Sequence, residues 1–173
     1  MNVLILYGSV EGQTAKIARF VKQRVEELGH GATLANADDP VQLPIEGTDA
    51  VILAASVHQR RHPRNFEALL SARKDDLAER KVLMLSVSLN AAFPEGREEA
   101  EDYVLEMKMR TGLAPDAEVL VAGAVRTSEY DYFAKQVVQH VVMRGRDYDR
   151  TAEEHEFTDW DALAKAVEGF LKE

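Results

Sequence analysis

The sequence predicts an α/β protein with a doubly wound, five-stranded parallel sheet and helices on both faces. Three observations carry this. Apolar runs at 3–7 (VLILY), 49–55 (DAVILAA) and 81–88 (KVLMLSVS) are apolar on both sides, as strands buried beneath helices on each face must be. Segments with helical periodicity alternate with these runs at regular spacing, which implies strand–helix–strand units. The chain has 173 residues, 46% of them hydrophobic and 29% charged, enough for one domain with a sizeable core. No internal repeat, low-complexity tract or linker divides 1–173.

The first strand runs straight into a turn at 8–14, and a helix follows with Ile17, Phe20, Val21, Val25 and Leu28 on one face. Gly29 suits the left-handed position that closes that helix. Residues 32–35 read as a short second strand, and 38–44 as a turn-rich connection. After the third strand comes the loop 56–64, then a helix marked by Phe66, Leu69, Leu70 and Leu77. The fourth strand ends in the loop 89–94. The next helix, 98–111, begins with acids that suit the positive end of its dipole and ends at Gly112. Residues 117–122 (AEVLVA) form the last strand. Trp160, Leu163, Ala164, Val167, Phe170 and Leu171 mark an amphipathic C-terminal helix, for which Thr158 is the expected N-cap, with Asp161 three residues on.

Composition excludes several functions. A net charge of −9 argues against a nucleic-acid partner. The absence of cysteine removes disulfides, thiolate metal sites and cysteine nucleophiles. The histidines at 30, 58, 62, 140 and 155 have no zinc-type spacing, so no metal is expected. No apolar run is long enough to span a bilayer, and the N-terminus carries no signal-type segment, so a cytoplasmic protein is expected.

Ligands of doubly wound sheets bind beyond the carboxyl ends of the strands. The loops to consider are therefore 8–14, 56–64, 88–94 and 123–132. The first, GSVEGQT, joins a strand end to a helix N-terminus, where unpaired backbone N–H groups and the helix dipole favour an anion. Ser9 and Thr14 add hydroxyls. Glycine, serine and threonine are also ordinary residues for such a turn. The loop contains no lysine and no Walker pattern, and lacks the glycine triplet of dinucleotide sites. The acids a phosphate-accepting regulator needs after strands one and three are missing, since Gly8-Ser9 and Ser56 stand there. A terminal phosphate monoester held by hydrogen bonds suits what remains.

Residues 9–14 (SVEGQT) resemble the phosphate loop of flavodoxins, S/T-x-T-G-x-T, through Ser9, Gly12 and Thr14, with Glu11 in place of the usual threonine. Over nearly its whole length the chain resembles one branch of that family, the menaquinone-type protoporphyrinogen IX dehydrogenases of bacteria. The shared signals are D/E-G-Q-T in the first loop, Ser-Val-x-Leu at 86–89 and Ala-Gly-Ala-x-Arg at 122–126. A further one is an aromatic insertion at about 126–157 that ends in Tyr/Phe-Thr-Asp-Trp at 157–160. Five strands also favour the flavodoxin-like order.

The resemblance implies FMN as cofactor. Ser9, Val10, Glu11, Gly12, Gln13 and Thr14 would hold its phosphate. Ser56 and Val57 on one side, and Ser86, Val87, Ser88, Leu89 and Asn90 on the other, would flank the ring, with Ala124 nearby. It implies oxidation of protoporphyrinogen IX to protoporphyrin IX, with a quinone as final electron acceptor. An electron-carrying flavodoxin and an FMN-dependent quinone reductase are the alternatives. Residues 56–62 offer no aromatic to stack on the ring and the 88–94 loop only Phe93 at its edge, which would leave room for a bulky planar substrate; a tyrosine from 130–132 could equally fold over the ring.

The C-terminal helix suffices to complete the fold, so 130–143 (YDYFAKQVVQHVVM) is surplus. Phe133, Val137 and Val141 share one face, and Arg144, Arg146 and Arg150 follow. The segment suits a second core helix, a lid, or a peripheral membrane contact through 130–150 near a quinone pool at the inner face of the membrane. Among the expectations are substrate contacts from Arg60, Arg61, Arg126, Tyr130 and Tyr132, and a homo-oligomer. His58, Arg60, Arg61, His62 and Arg64 crowd into one loop without an acid, which suits an anionic substrate, or a solvated or ion-pairing surface. His58 and His62 are the candidate bases because they titrate near neutral pH.

Overall fold

The computed structural model describes residues 1–10, 12–39, 43–126 and 154–173, with only the backbone of 126, 154 and 155. Five parallel strands form the sheet: β1 (Asn2–Gly8), β2 (Gly31–Asn36), β3 (Ala50–Ser56), β4 (Lys81–Ser88) and β5 (Ala117–Ala122). Their order is β2-β1-β3-β4-β5, the flavodoxin-like order. The register places Val3 beside Ala32 and Ala50, Ile52 beside Leu83, and Leu85 beside Val119.

The period-2 alternation of a strand divides the core into two layers. Val3, Ile5, Ala50, Ile52, Ala54, Leu83, Leu85 and Val87 face α1 (Gln13–Glu27) and the C-terminal helix, which supply Ile17, Val21, Leu163 and Val167. Leu4, Leu6, Val51, Leu53, Val82 and Met84 face α2 (Arg64–Ala72), α3 (Lys74–Ala78) and α4 (Arg97–Thr111), which supply Phe66, Leu70, Leu77, Val104 and Met107. This is why the strands read as unbroken apolar runs. Beyond β5, β6 (Ala124–Arg126) and β7 (Glu154–Glu156) form a separate antiparallel ribbon, and α5 (Trp160–Lys172) ends the chain.

Two expectations are corrected. The helix expected across 66–77 is interrupted at Arg73, whose φ of −112° lies outside the helical range. Arg73 donates from Nε to Asp76 Oδ2 at 2.6 Å, and Asp75 and Asp76 occupy the first turn of α3, where the dipole favours acids. The N-cap of α5 is Asp159, not Thr158: Asp159 Oδ1 accepts from the Ala162 amide at 3.0 Å. Thr158 lies one residue earlier and its hydroxyl is engaged elsewhere.

Candidate functional site

The β1–α1 loop begins where Gly8 lies against α2. A Cβ on Gly8 would sit 3.0 Å from Phe66 Cβ, so only glycine fits without displacement. Ser9 Oγ then accepts from the Gly12 amide at 2.9 Å. Gly12 has φ +90°, a backbone state that glycine adopts readily, and it turns the chain into α1. Among the described residues no side chain caps α1, and its first turn holds no acid, so its leading N–H groups suit a ligand. Val10 is exposed. Glu11 lies outside the described residues.

Two buried hydroxyls near this loop lack a partner among the described residues, Thr14 Oγ1 and Ser56 Oγ. Ser56 follows Ala50, Ile52 and Ala54 on the α1 side of β3, so both hydroxyls belong to the layer beneath the loop. Buried polar groups are seldom left unbonded, and a ligand oxygen would satisfy both. Together with the uncapped helix start, this donor set suits a dianionic phosphate monoester.

The second loop starts at Val57, whose amide extends the β3–β4 pairing to the Val87 carbonyl at 2.8 Å. His58 and Arg61 exchange backbone hydrogen bonds of 2.9 and 3.2 Å around Gln59 and Arg60, with φ +50° and +67°. Two left-handed residues in succession define a type I′ turn, which ordinarily favours asparagine and glycine.

Two of the loop's arginines, unpaired within the loop itself, meet acids on α2 and α4. Arg60 pairs with Glu99, and its guanidinium lies 5.5 Å from the centre of the Tyr103 ring. Arg61 donates to Glu67 at 3.3 and 3.4 Å, and Glu67 is also held by Arg110. Of Arg60 and Arg61 the former is the more open, its side chain 62% exposed.

His62 is 1% exposed, with Nε2 2.9 Å from Ser86 Oγ and Nδ1 unpartnered. Burial pushes its pKa down to about 4, with Arg110 lowering it further and Glu67 acting in the opposite sense. It is therefore neutral near pH 7 and closed off from solvent, which corrects its candidacy as a base meeting substrate. A neutral imidazole that donates from Nε2 leaves only an acceptor unpaired and frees the Ser86 proton.

In the third loop Ser88 Oγ accepts from the Ala91 amide at 3.2 Å. Asn90 Nδ2 donates to Glu99 Oε2 at 3.2 Å and to Tyr103 Oη at 2.9 Å. Burial, and then the hydrogen bond to Glu99, push the Tyr103 pKa up to about 12. Phe93 packs with Phe157 at a centroid distance of 5.5 Å, over Val125, Leu89 and Ala92. The fourth loop begins at Gly123, whose amide donates to the Ser88 carbonyl at 3.1 Å, and continues through Ala124 into β6. The Arg126 backbone pairs with Glu154. Tyr130, Tyr132 and the whole of 130–150 lie outside the described residues.

The described part of the structure thus brings the first, second and third loops and Ala124 to one edge of the sheet. Sequence reading missed Glu67 and Arg110. Glu67 follows Phe66 and precedes Leu70 by three, so a carboxylate on the apolar face of α2 was the available signal. Among the described residues no group of acids and histidines could hold a metal ion, and no helix is long and apolar enough to cross a membrane.

Fold and site together define a doubly wound α/β protein with a phosphate-type loop after its first strand. The chain belongs to the flavodoxin domain family, whose model matches residues 4–152. It is 28% identical over 166 residues to protoporphyrinogen IX dehydrogenase [quinone] of Escherichia coli K12, across 95% of this chain and 91% of that protein. Similar solved structures include oxidised flavodoxin 1 of Bacillus cereus (TM-score 0.61, 17% identity, 99% of this chain and 98% of that one). Another is a Fusobacterium nucleatum flavodoxin mutant bound to flavin mononucleotide (TM-score 0.50, 14% identity, 99% of this chain and 94% of that one).

Proposed function

We propose that the protein is an FMN-dependent oxidoreductase that converts protoporphyrinogen IX to protoporphyrin IX with a quinone as electron acceptor. FMN is the cofactor expected of a flavodoxin-family chain, and the unpartnered hydroxyls of Thr14 and Ser56 beside the uncapped α1 carry that part of the reading. The relative that acts on protoporphyrinogen IX, similar across 95% of this chain, supports the substrate.

The backbone N–H groups at the start of α1, with Thr14, would hold the phosphate as hydrogen-bond donors. Ser9 keeps the loop folded by accepting from Gly12. Residues 56–59, 86–90 and Ala124 would border the ring. When bound, FMN supplies a two-electron acceptor that a quinone can reoxidise. The Arg60 guanidinium is open enough to meet a substrate carboxylate. Arg61, held by Glu67, would act by fixing the loop; Arg126, Tyr130 and Tyr132 would border the substrate. The N–H protons are left to water. Residues 130–150 would bring the substrate and quinone to the site, at the membrane surface.

The test is to purify the protein, load it with FMN, add reduced porphyrin and menaquinone without oxygen, and follow porphyrin fluorescence. Fluorescence that grows only when protein, FMN and quinone are all present is the expected result. FMN uptake without porphyrin formation assigns an electron carrier instead, and a protein that cannot be loaded with FMN overturns both. Deleting 130–150 should spare FMN binding and abolish porphyrin formation.

A further inference from the structure

The segment that leads into α5 is fastened to the start of α1. Thr158 Oγ1 accepts from Gln13 Nε2 at 3.1 Å and donates to the Ala122 carbonyl at 2.6 Å. A carbonyl only accepts, so the hydroxyl proton must point at Ala122 and a lone pair at Gln13. The Glu156 carboxylate, which also hydrogen-bonds the Gln13 side chain, is an acceptor too, so the amide nitrogen lies on this side. Gln13 and Thr158 are both buried. One hydroxyl therefore joins the end of β5, the entry to α5 and the first residue of α1.

Neighbouring residues dock the same segment at further points. The Phe157 amide donates to the Gly123 carbonyl at 3.0 Å. Trp160 packs on Phe20 at 4.8 Å between centroids and donates from Nε1 to Glu156 Oε1 at 2.7 Å. Glu156 also reaches the start of α1, pairing with Lys16 and bonding the Gln13 side chain, but it is the Thr158 hydroxyl that links Gln13 to the end of β5.

We infer that Thr158 is a positioning residue for the phosphate loop, acting through Gln13, so that phosphate affinity depends on the docking of 154–160. The inference rests on the FMN reading above. Gln13 thereby serves the cofactor by holding the first turn of α1, while its side-chain amide is directed at Thr158 and Glu156. Linkage makes the effect reciprocal: a phosphate in the loop favours the docked segment.

The experiment compares FMN with riboflavin, which lacks the phosphate, by the quenching of flavin fluorescence on binding. In Thr158→Val the Kd for FMN should rise about tenfold while that for riboflavin changes less than about twofold. Thr158→Ser, which keeps the hydroxyl, should restore the wild-type ratio. Gln13→Met removes the donor from the opposite end and should reproduce the selective loss, which keeps the inference testable if Thr158→Val does not fold. An unchanged FMN-to-riboflavin ratio in these variants, or equal weakening of both ligands, overturns the inference alone. Wild-type protein that binds no FMN overturns the FMN reading and this inference with it.

Discussion

Arg110 grips Glu67 with two parallel hydrogen bonds, Nε to Oε2 and Nη2 to Oε1, each 2.8 Å long. The carboxylate is 4% exposed and Arg61 approaches it from the other side. Burial alone would raise the carboxyl's pKa, but the hydrogen bonds from Arg110 and then Arg61 outweigh it and hold the group below its ordinary range. The pair ties α2 to α4 and, through Arg61, to the loop after β3. Glu67→Gln leaves two guanidiniums facing a neutral amide and should cost about 2 kcal/mol or more. Urea unfolding reads this as a lower midpoint at unchanged slope. A wild-type midpoint would mean that the pair adds no stability.

His62 makes stability depend on pH. Its folded pKa is about 4, against 6.5 for an ordinary imidazole. Between these values the unfolded chain binds a proton that the folded chain refuses. The contribution is fully present above pH 6.5 and is lost as pH falls towards about 4, by on the order of 3 kcal/mol in total. Glu67, with its depressed carboxyl, adds a further loss in more acid solution. His62→Gln offers an amide to Ser86 without a titrating group. Between about pH 7 and about pH 5 its unfolding free energy should change less than that of the wild type. Equal pH slopes in the two proteins would contradict the assignment.

Thr14→Val should act in opposite directions on stability and binding. It replaces a buried, unpartnered hydroxyl with a methyl, so the ligand-free protein should gain about 1 kcal/mol. The same change removes a donor to a charged phosphate, so FMN affinity should fall by a factor of about 10 to 100. Thermal unfolding without flavin and a binding titration measure the two effects. A loss of stability would mean that the hydroxyl is satisfied within the protein.

Asp159→Ala removes the cap of α5 and should cost about 1 kcal/mol. Because Asp159 holds only its own helix, FMN and riboflavin should bind this variant in the wild-type ratio. It is the natural control for Thr158, one residue away: a shifted ratio would place the loop's support in the helix cap.

The strands were legible because a parallel strand buried on both faces needs no partner to be recognised. Val3–Leu6 and Val82–Leu85 show it in their composition alone. The phosphate-type loop was legible from Ser9, Gly12 and Thr14 for a similar reason, since its chemistry is local. What escaped were relations across the fold. The basic loop 58–64 reads as unpaired until α2 and α4 bring Glu67 and Glu99 to it. His62 reads as a titrating surface group until β4 sets Ser86 beside it. Thr158 reads as a cap because its spacing to Asp161 fits one, but β5 and α1 offer its hydroxyl two partners and the cap moves to Asp159. The break at Arg73 escaped because the apolar spacing of Leu70 and Leu77 continues across it.

The β6–β7 ribbon has a topological consequence. Ala124 pairs with Glu156 and Arg126 with Glu154, so the chain leaves the ribbon and returns to it at facing residues. The chain from 127 to 153 therefore runs between two residues, Arg126 and Glu154, already joined in a backbone ladder, and in sequence it is a detour. A two-residue hairpin turn could replace the detour without shifting any strand of the five-stranded sheet. A segment of another length grafted onto the same two posts would begin and end at the same ladder, so the ribbon is an anchor at which the chain between them can be exchanged.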